Sequence, residues 1–379
     1  MKLPFCDHHI FAFLQSHENS LQPLDLALGD YLRAHKSIGA NDRRTIGETL
    51  YGMIRWKTLI DYFCASPHFY DRLICFRKLV LEKCFYDPSI PEPIRRGLPE
   101  FLHERLLASY GPQKTEALSL VLNTPAPTTI RANLMKTTRD ELLAKLQAIY
   151  PASLCTHAEA GIQFEKRVPL FSLPEFKDGL FEMQDEGSQL VASLIAVKPG
   201  EHVLDYCSGS GGKTLAFAHL MRGKGQIYLH DIRPRVLLEA RKRLKRAGIQ
   251  NAQMLEPAHP HLSKIKGKMD WVLGDVPCSG TGTLRRNPDS KWKIDAPMIE
   301  RLVQQQREIV KEALAYVKPG GFFVYATCSI LPEENVDQVN FFLKNYPLVL
   351  EKEPLALLPQ EKGMDGFYAA VFRKTASLV

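Results

Sequence analysis

Residues 202–214 read His202-Val203-Leu204-Asp205-Tyr206-Cys207-Ser208-Gly209-Ser210-Gly211-Gly212-Lys213-Thr214. A short apolar run ends on an acid and passes through a glycine-rich turn, the pattern of a buried strand feeding a helix. Glycines let backbone approach a ligand closely, and the free N–H groups at the helix start face it. Three ligand classes compete for such a turn. A phosphate-binding P-loop needs Gly where Cys207 stands, so Gly212-Lys213-Thr214 is only its tail. A dinucleotide fingerprint counted from Gly209 needs Gly at 214 and meets Thr214. What remains is an adenosyl ligand without phosphates, which calls for an acid near the end of the next strand to bind ribose hydroxyls. Asp231, following Tyr228-Leu229-His230, stands there. The loop alone also reads as a tight turn with a helix cap; loop and acid together favour the ligand.

Working outward, further apolar runs occur at Gln226–His230, Trp271–Gly274 and Phe322–Ala326, while Arg235–Arg246 and Pro297–Tyr316 have helical spacing. The alternation predicts an α/β fold, a parallel sheet covered by helices on both faces, with ligands beyond the carboxyl ends of the strands. Upstream, Thr129-Ile130-Arg131-Ala132-Asn133 reads as a strand. Thr138 and Glu141 then form a capping-box pattern ahead of Leu142, Leu143 and Leu146. The first third reads helical. Leu21, Leu24, Leu28 and Leu32 recur at helical spacing, with Pro23 near the start. After a turn at Gly39-Ala40-Asn41-Asp42, Ile46, Leu50, Met53, Ile54 and Leu59 form a second stripe. Arg43, Arg44, Arg55 and Lys57 interleave with it as a basic face. Asn123-Thr124-Pro125-Ala126-Pro127 breaks the region, and Lys177-Asp178-Gly179 marks a second turn. The expected organisation is a helical domain over 1–124, a small α/β segment over 125–178, and the ligand-binding α/β domain over 179–379.

The chain has 379 residues, 45% hydrophobic and 24% charged, which is globular composition. Its net charge of +7 favours a polyanionic partner without requiring one. The eight cysteines form no CxxC pair, which argues against a zinc ribbon or a thioredoxin-like site. Met1-Lys2-Leu3-Pro4-Phe5 does not open like a signal peptide, and no apolar run is long enough to span a bilayer. These features lead us to expect a cytoplasmic protein with free thiols and no metal.

Two of the cysteines stand apart. One strand runs into Asp275-Val276-Pro277-Cys278-Ser279-Gly280-Thr281-Gly282, another into Tyr325-Ala326-Thr327-Cys328-Ser329. Both strand ends should reach the crevice that holds the ligand, bringing two thiols and a carboxylate together. Thiols are common packing residues, and Cys6, Cys64, Cys75, Cys84 and Cys155 read that way; Cys207 reads as positional.

These ordered motifs resemble the RsmB/NOP/Sun family of RNA cytosine-5 methyltransferases. The likeness runs from Gln184-Asp185-Glu186-Gly187-Ser188 onward. It takes in Gly211-Gly212-Lys213-Thr214, the Asp275–Gly282 segment, Arg285-Arg286-Asn287-Pro288-Asp289 with Lys291-Trp292, and Thr327-Cys328-Ser329. The first third is similar to a NusB-like helical domain, on Asp42-Arg43-Arg44 through Tyr51-Gly52-Met53-Ile54-Arg55-Trp56. The resemblance implies a Rossmann-like, class I S-adenosylmethionine-dependent methyltransferase fold with a mostly parallel seven-stranded sheet. It implies that Cys207, Ser208, Gly209, Ser210, Gly211, Gly212, Lys213, Asp231, Glu256 and Asp275 bind S-adenosylmethionine. It further implies that Asp275 contacts the target base, that Cys328 is the nucleophile and that Cys278 assists product release. Cytosine-5 DNA methyltransferases carry their nucleophile in the segment of Cys278, and Thr327-Cys328-Ser329 favours the RNA type. Two departures stand out: Ser208-Gly209-Ser210 replaces Ala-Ala-Pro, and Glu256 is the nearest acid where the family has an adenine-side aspartate. The expected partner is RNA, 16S ribosomal RNA first and transfer RNA as the alternative, bound by a monomer. The basic helix face should meet RNA phosphates, and Arg285, Arg286, Lys291 and Lys293, with Trp292, should guide the strand. The rivals are a P-loop ATPase, disfavoured by Cys207, and a non-catalytic RNA-binding assembly factor, disfavoured by the intact set Asp231, Asp275, Cys278 and Cys328.

Overall fold

The computed structural model describes residues 3–18, 20, 22–166 and 168–375. Leu21 of the first leucine stripe, with Met1 and Lys2, lies outside the described residues. The chain divides into two compact units, one formed by 126–282 with 297–379 and the other by 1–125 with 283–296.

The larger unit holds two sheets. The smaller contains β1 (Thr128–Ala132), β2 (Ala152–Leu154), β3 (Gly161–Phe164) and β4 (Phe181–Met183), antiparallel in the order β2-β3-β1-β4. Helix Arg139–Gln147 packs Leu142 and Leu146 into its core with Ile130, Ile162, Phe164 and Phe181. That helix starts where the sequence predicts. Thr138 Oγ1 accepts from the Glu141 N–H at 3.2 Å, and Glu141 Oε2 accepts from the Thr138 N–H at 3.0 Å.

The large sheet contains β5 (His202–Asp205), β6 (Gln226–His230), β7 (Ala252–Leu255), β8 (Met269–Asp275), β9 (Val317–Thr327), β10 (Leu348–Leu350), β11 (Leu355–Leu357) and β12 (Phe367–Lys374). Its order is β10-β12-β9-β8-β5-β6-β7, with β11 also on β12. The run from β7 to β9 is parallel, and β10, β11 and β12 are antiparallel additions. Among the described residues the sheet therefore has eight strands where seven were expected. The outer edge of β12 is long enough to pair with two separate three-residue strands, β10 at one end and β11 at the other. Alternation along each strand splits the core in two. Val203, Leu273 and Val324 face one layer, with helices Glu186–Ala192 and Pro234–Ala247; Leu204, Val272 and Phe323 face the other, with helices Ala296–Leu314 and Val336–Asn345.

The smaller unit is helical, with helices at Phe5–His17, Leu24–Ala34 and Ala40–Arg55 and two more in Glu100–Leu122, divided by a kink at Gly111, φ 73°. Ile46, Leu50 and Met53 meet Leu24 and Leu28 in one core. The turn expected at 39–42 is shorter: Gly39 alone precedes the helix, and Ala40–Asp42 form its first turn.

Candidate active site

The cofactor-side residues cluster at the carboxyl ends of β5 and β6. Gly211 takes a left-handed φ of 78° at the cap of helix Gly212–Phe217, and a Cβ there would sit 3.2 Å from Leu229 Cδ2. A Cβ at Gly212 would meet nothing within 4 Å, so open space lies before the helix start. Asp205 Oδ1 and Ser208 Oγ are buried without a hydrogen-bond partner among the described residues. A helix N-terminus facing open space beside orphaned polar atoms fits a polar adenosyl ligand.

Asp231 is buried and already engaged. Its Oδ2 accepts from the Gly209 N–H at 2.9 Å and from Arg233 Nη2 at 3.0 Å; its Oδ1 accepts from the Arg233 N–H and from Nε, both at 2.9 Å. Burial raises its pKa, but the Arg233 and Gly209 hydrogen bonds outweigh that and hold it below the usual aspartate value. These four bonds fill the carboxylate's acceptor sites. Arg233, whose side chain is largely exposed, covers the carboxylate from the solvent side. Ser210 is held from behind by Arg243, which donates to its carbonyl at 3.0 Å and its hydroxyl at 2.6 Å. Arg243 and Arg246 also grip buried Glu182 of β4. Arg243 thus ties the small sheet to the cofactor loop and Arg246 ties it to helix Pro234–Ala247, while Arg235, Arg241, Lys242 and Lys245 of that helix remain exposed. Glu256 lies one residue past β7, exposed on the turn that contains Ala258 at φ 62°.

The catalytic-side residues meet at the ends of β8 and β9. Asp275 closes β8 and forms an ion pair with Lys213 from the cofactor loop. Thr327 closes β9, and Cys328 Sγ stands 3.3 Å from Cys278 Sγ. The Cys328 N–H also points at Cys278 Sγ, at 3.3 Å. As residues, Cys278 and Cys328 are both half-buried. The hydrogen bond with Cys328, then burial, pushes the Cys278 pKa well above the ordinary thiol range. Burial, with help from Asp205, Asp275 and Asp231, pushes Cys207 up as well. Neither of those thiols is thus a ready thiolate. The two cysteine segments are tied together: Gly282 N–H donates to the Cys328 carbonyl at 2.9 Å, and a Cβ on Gly282 would meet the Gly366 carbonyl at 2.2 Å.

The Gln184–Ser188 motif is structural. Asp185 caps helix Glu186–Ala192, Glu186 accepts from the His157 and Ala158 N–H groups, and Gln184 accepts from Arg131 at 2.7 Å.

The expected RNA guide does not exist in the form read from the sequence. Arg285 and Lys291 are completely buried within the helical unit. Lys291 Nζ donates to the Arg55 carbonyl, the Gly97 carbonyl and Asn123 Oδ1, each at 2.6 Å. Burial, then the Arg55 charge, pulls its pKa well down. The Arg285 carbonyl accepts from Arg55 at 2.9 Å, so Arg55 is buried too and leaves the expected basic face. Trp292 donates to the Ile54 carbonyl at 2.8 Å. Only Lys293 of the five is exposed, and it pairs with Asp289. The lysine thus spends its donors on three oxygens inside the helical unit.

Sequence reasoning missed Glu182, Arg233, Arg243, Gln306 and Glu334. Glu334 follows Leu331-Pro332-Glu333, an ordinary acidic turn in sequence, yet it is completely buried. Only Arg233, two residues past Asp231, carried a local signal.

Residues 192–373 match the family model described as 16S rRNA methyltransferase RsmB/F, and residues 98–170 match the ferredoxin-like domain of RsmF/B-like methyltransferases. The chain is 36% identical over 288 residues to ribosomal RNA small subunit methyltransferase B of Vibrio vulnificus, covering 73% of this chain and 67% of that protein. It is 33% identical over 297 residues to the enzyme of the same name from Pseudomonas putida, covering 75% and 68%. The solved methyltransferase homolog protein from Pyrococcus horikoshii superposes with a TM-score of 0.67 at 27% identity, over 76% of this chain and 99% of that one. The crystal structure of PH0851 shares the fold with a TM-score of 0.82 at 22% identity, over 99% of this chain and 100% of that one. On these relatives the chain belongs to the RsmB/F family of RNA methyltransferases, whose methyl donor is S-adenosylmethionine.

Proposed function

We propose that the chain methylates carbon-5 of a cytosine in 16S ribosomal RNA, in the cytoplasm, through a covalent bond between Cys328 and carbon-6 of the base. The observation that carries this reading is the approach of Cys328 and Cys278 to 3.3 Å at the ends of β8 and β9, with Asp275 on the first of those strands. Carbon-5 of cytosine is a poor nucleophile. Addition of Cys328 Sγ to carbon-6 breaks the ring conjugation and gives carbon-5 enamine character. Asp275, paired with Lys213, would contact the nitrogen edge of the ring. When bound, S-adenosylmethionine supplies an electrophilic methyl group, and Cys207 to Lys213, with Asp231, would hold it. Loss of the carbon-5 proton and departure of Cys328 Sγ restore the aromatic ring, and Cys278 assists that departure.

The test compares two variants of the full chain on small-subunit ribosomal RNA from cells lacking the gene. Cys328→Ala should abolish methyl transfer, and Cys278→Ala should trap an enzyme–RNA adduct on a denaturing gel. A fully active Cys328→Ala enzyme would overturn the assignment. Methylation of transfer RNA but not of the ribosomal RNA would move the substrate and leave the chemistry in place.

A further inference from the structure

Behind the two cysteine segments lies a buried polar cluster with no part in the chemistry above. Glu334, Gln306, Gln338 and Tyr325 are all completely buried in the larger unit. Glu334 Oε1 accepts from the Ser279 N–H at 2.9 Å and from Gln306 Nε2 at 2.9 Å, and its Oε2 accepts from the Ser279 hydroxyl. Gln306 Nε2 also donates to the Pro277 carbonyl at 3.0 Å. Pro277 and Ser279 flank Cys278, so one carboxylate and one amide grip the peptide groups on both sides of that cysteine. Gln306 is itself fixed: its Oε1 accepts from Gln338 Nε2 at 2.9 Å and lies 3.1 Å from the Tyr325 hydroxyl, which also reaches the Glu334 carbonyl at 2.7 Å. The Cys328 segment is held differently. Asn335 accepts from Thr327 Oγ1 at 2.6 Å and donates to the Ser329 carbonyl at 2.9 Å.

A carboxylate this deep is costly unless its acceptors are satisfied, and apolar side chains would fill the space more cheaply. What the satisfied network supplies is one fixed geometry. We infer that Glu334 and Gln306 are positioning residues for the release step, holding the Pro277–Ser279 segment so that Cys278 stays against Cys328. This rests on the reading of Cys278 as the residue that assists release. The Glu334 charge also helps keep Cys278 a thiol, behind the Cys328 hydrogen bond, burial and the Cys328 charge.

The experiment uses the full chain as wild type, Cys278→Ala, Glu334→Ala, Glu334→Gln and Gln306→Leu. The probe is small-subunit ribosomal RNA from cells lacking the gene, with radiolabelled S-adenosylmethionine. First-turnover methylation, steady-state turnover and covalent adduct are read separately. For Glu334→Ala and Gln306→Leu, first-turnover methylation should stay within ~3-fold of wild type while steady-state turnover falls ~100-fold. Adduct should accumulate as it does with Cys278→Ala. Glu334→Gln keeps the shape and can accept the same N–H groups, so it should retain turnover and show no adduct. Loss of first turnover and steady state together, with no adduct, would mean that the pair merely supports the whole site, and the inference falls. If Glu334→Ala fails to fold, Gln306→Leu carries the same comparison. Absence of adduct in Cys278→Ala would instead remove the release role of Cys278, and this inference with it.

Discussion

Lys291→Met separates two readings of one residue. Next to Trp292 in a basic segment, Lys291 reads as an RNA contact, yet in the fold its ammonium has no solvent exposure and donates to three oxygens at 2.6 Å. Hydrogen bonds to a charged group are worth roughly 1.5–3 kcal/mol each, so three give a gross contribution of about 5–9 kcal/mol. Several kcal/mol of ammonium desolvation offset this. Methionine fills the volume of the stem but takes the lysine donor away from three buried oxygens, and losing the partner of a buried polar group costs about 1–3 kcal/mol. The assay is urea unfolding followed by fluorescence and circular dichroism. Trp56 and Trp292 report on the helical unit and Trp271 on the other, so the loss is expected in the transition that moves the first two. At a temperature where the variant stays folded, the salt dependence of RNA binding should be that of wild type. A stability change below about 1 kcal/mol, with the salt slope reduced by about one, would show that Lys291 meets phosphate and would refute the buried-strut reasoning.

Two further predictions concern the cofactor cleft. Burial holds the Asp205 carboxyl up at about 7, from 3.8, against the pull of its hydrogen bond from Thr214. A raised carboxyl stabilises the fold fully below the lower value and loses that contribution as pH rises to the upper one, about 4 kcal/mol at 1.4 kcal/mol per pH unit. Asp205→Asn should flatten urea stability between pH 4 and 7 relative to wild type; parallel curves would contradict the assignment. Gly211→Ala places a Cβ at φ 78° and 3.2 Å from Leu229, so it should cost about 1–2 kcal/mol in stability and weaken S-adenosylmethionine binding by calorimetry. An unchanged melting temperature and affinity would show that the loop does not need glycine there.

Parts of the fold were legible because they are written locally. The Thr138–Glu141 capping box appears as expected because both partners lie within one helical turn. Strand ends at Asp205, Asp275 and Thr327 follow from apolar runs meeting glycine, proline and small polar residues. The three segments of the candidate site could be placed at one sheet edge because parallel strands put their carboxyl ends on the same side. The count of strands was not legible, since three-residue strands such as Leu348–Leu350 carry no period to detect.

What the sequence determined alone was therefore the family, the parallel sheet, and the segments that bear the thiols and the carboxylate. Only the tertiary structure decided which polar side chains are spent inside the protein: Lys291 and Arg285 in the helical unit, Glu182 beneath the cofactor loop, Glu334 and Gln306 behind Cys278. Local pattern depends on near neighbours and is visible in the string of residues. Desolvation and pairing depend on surfaces brought together from tens to hundreds of residues apart, and that meeting exists only once the chain has folded.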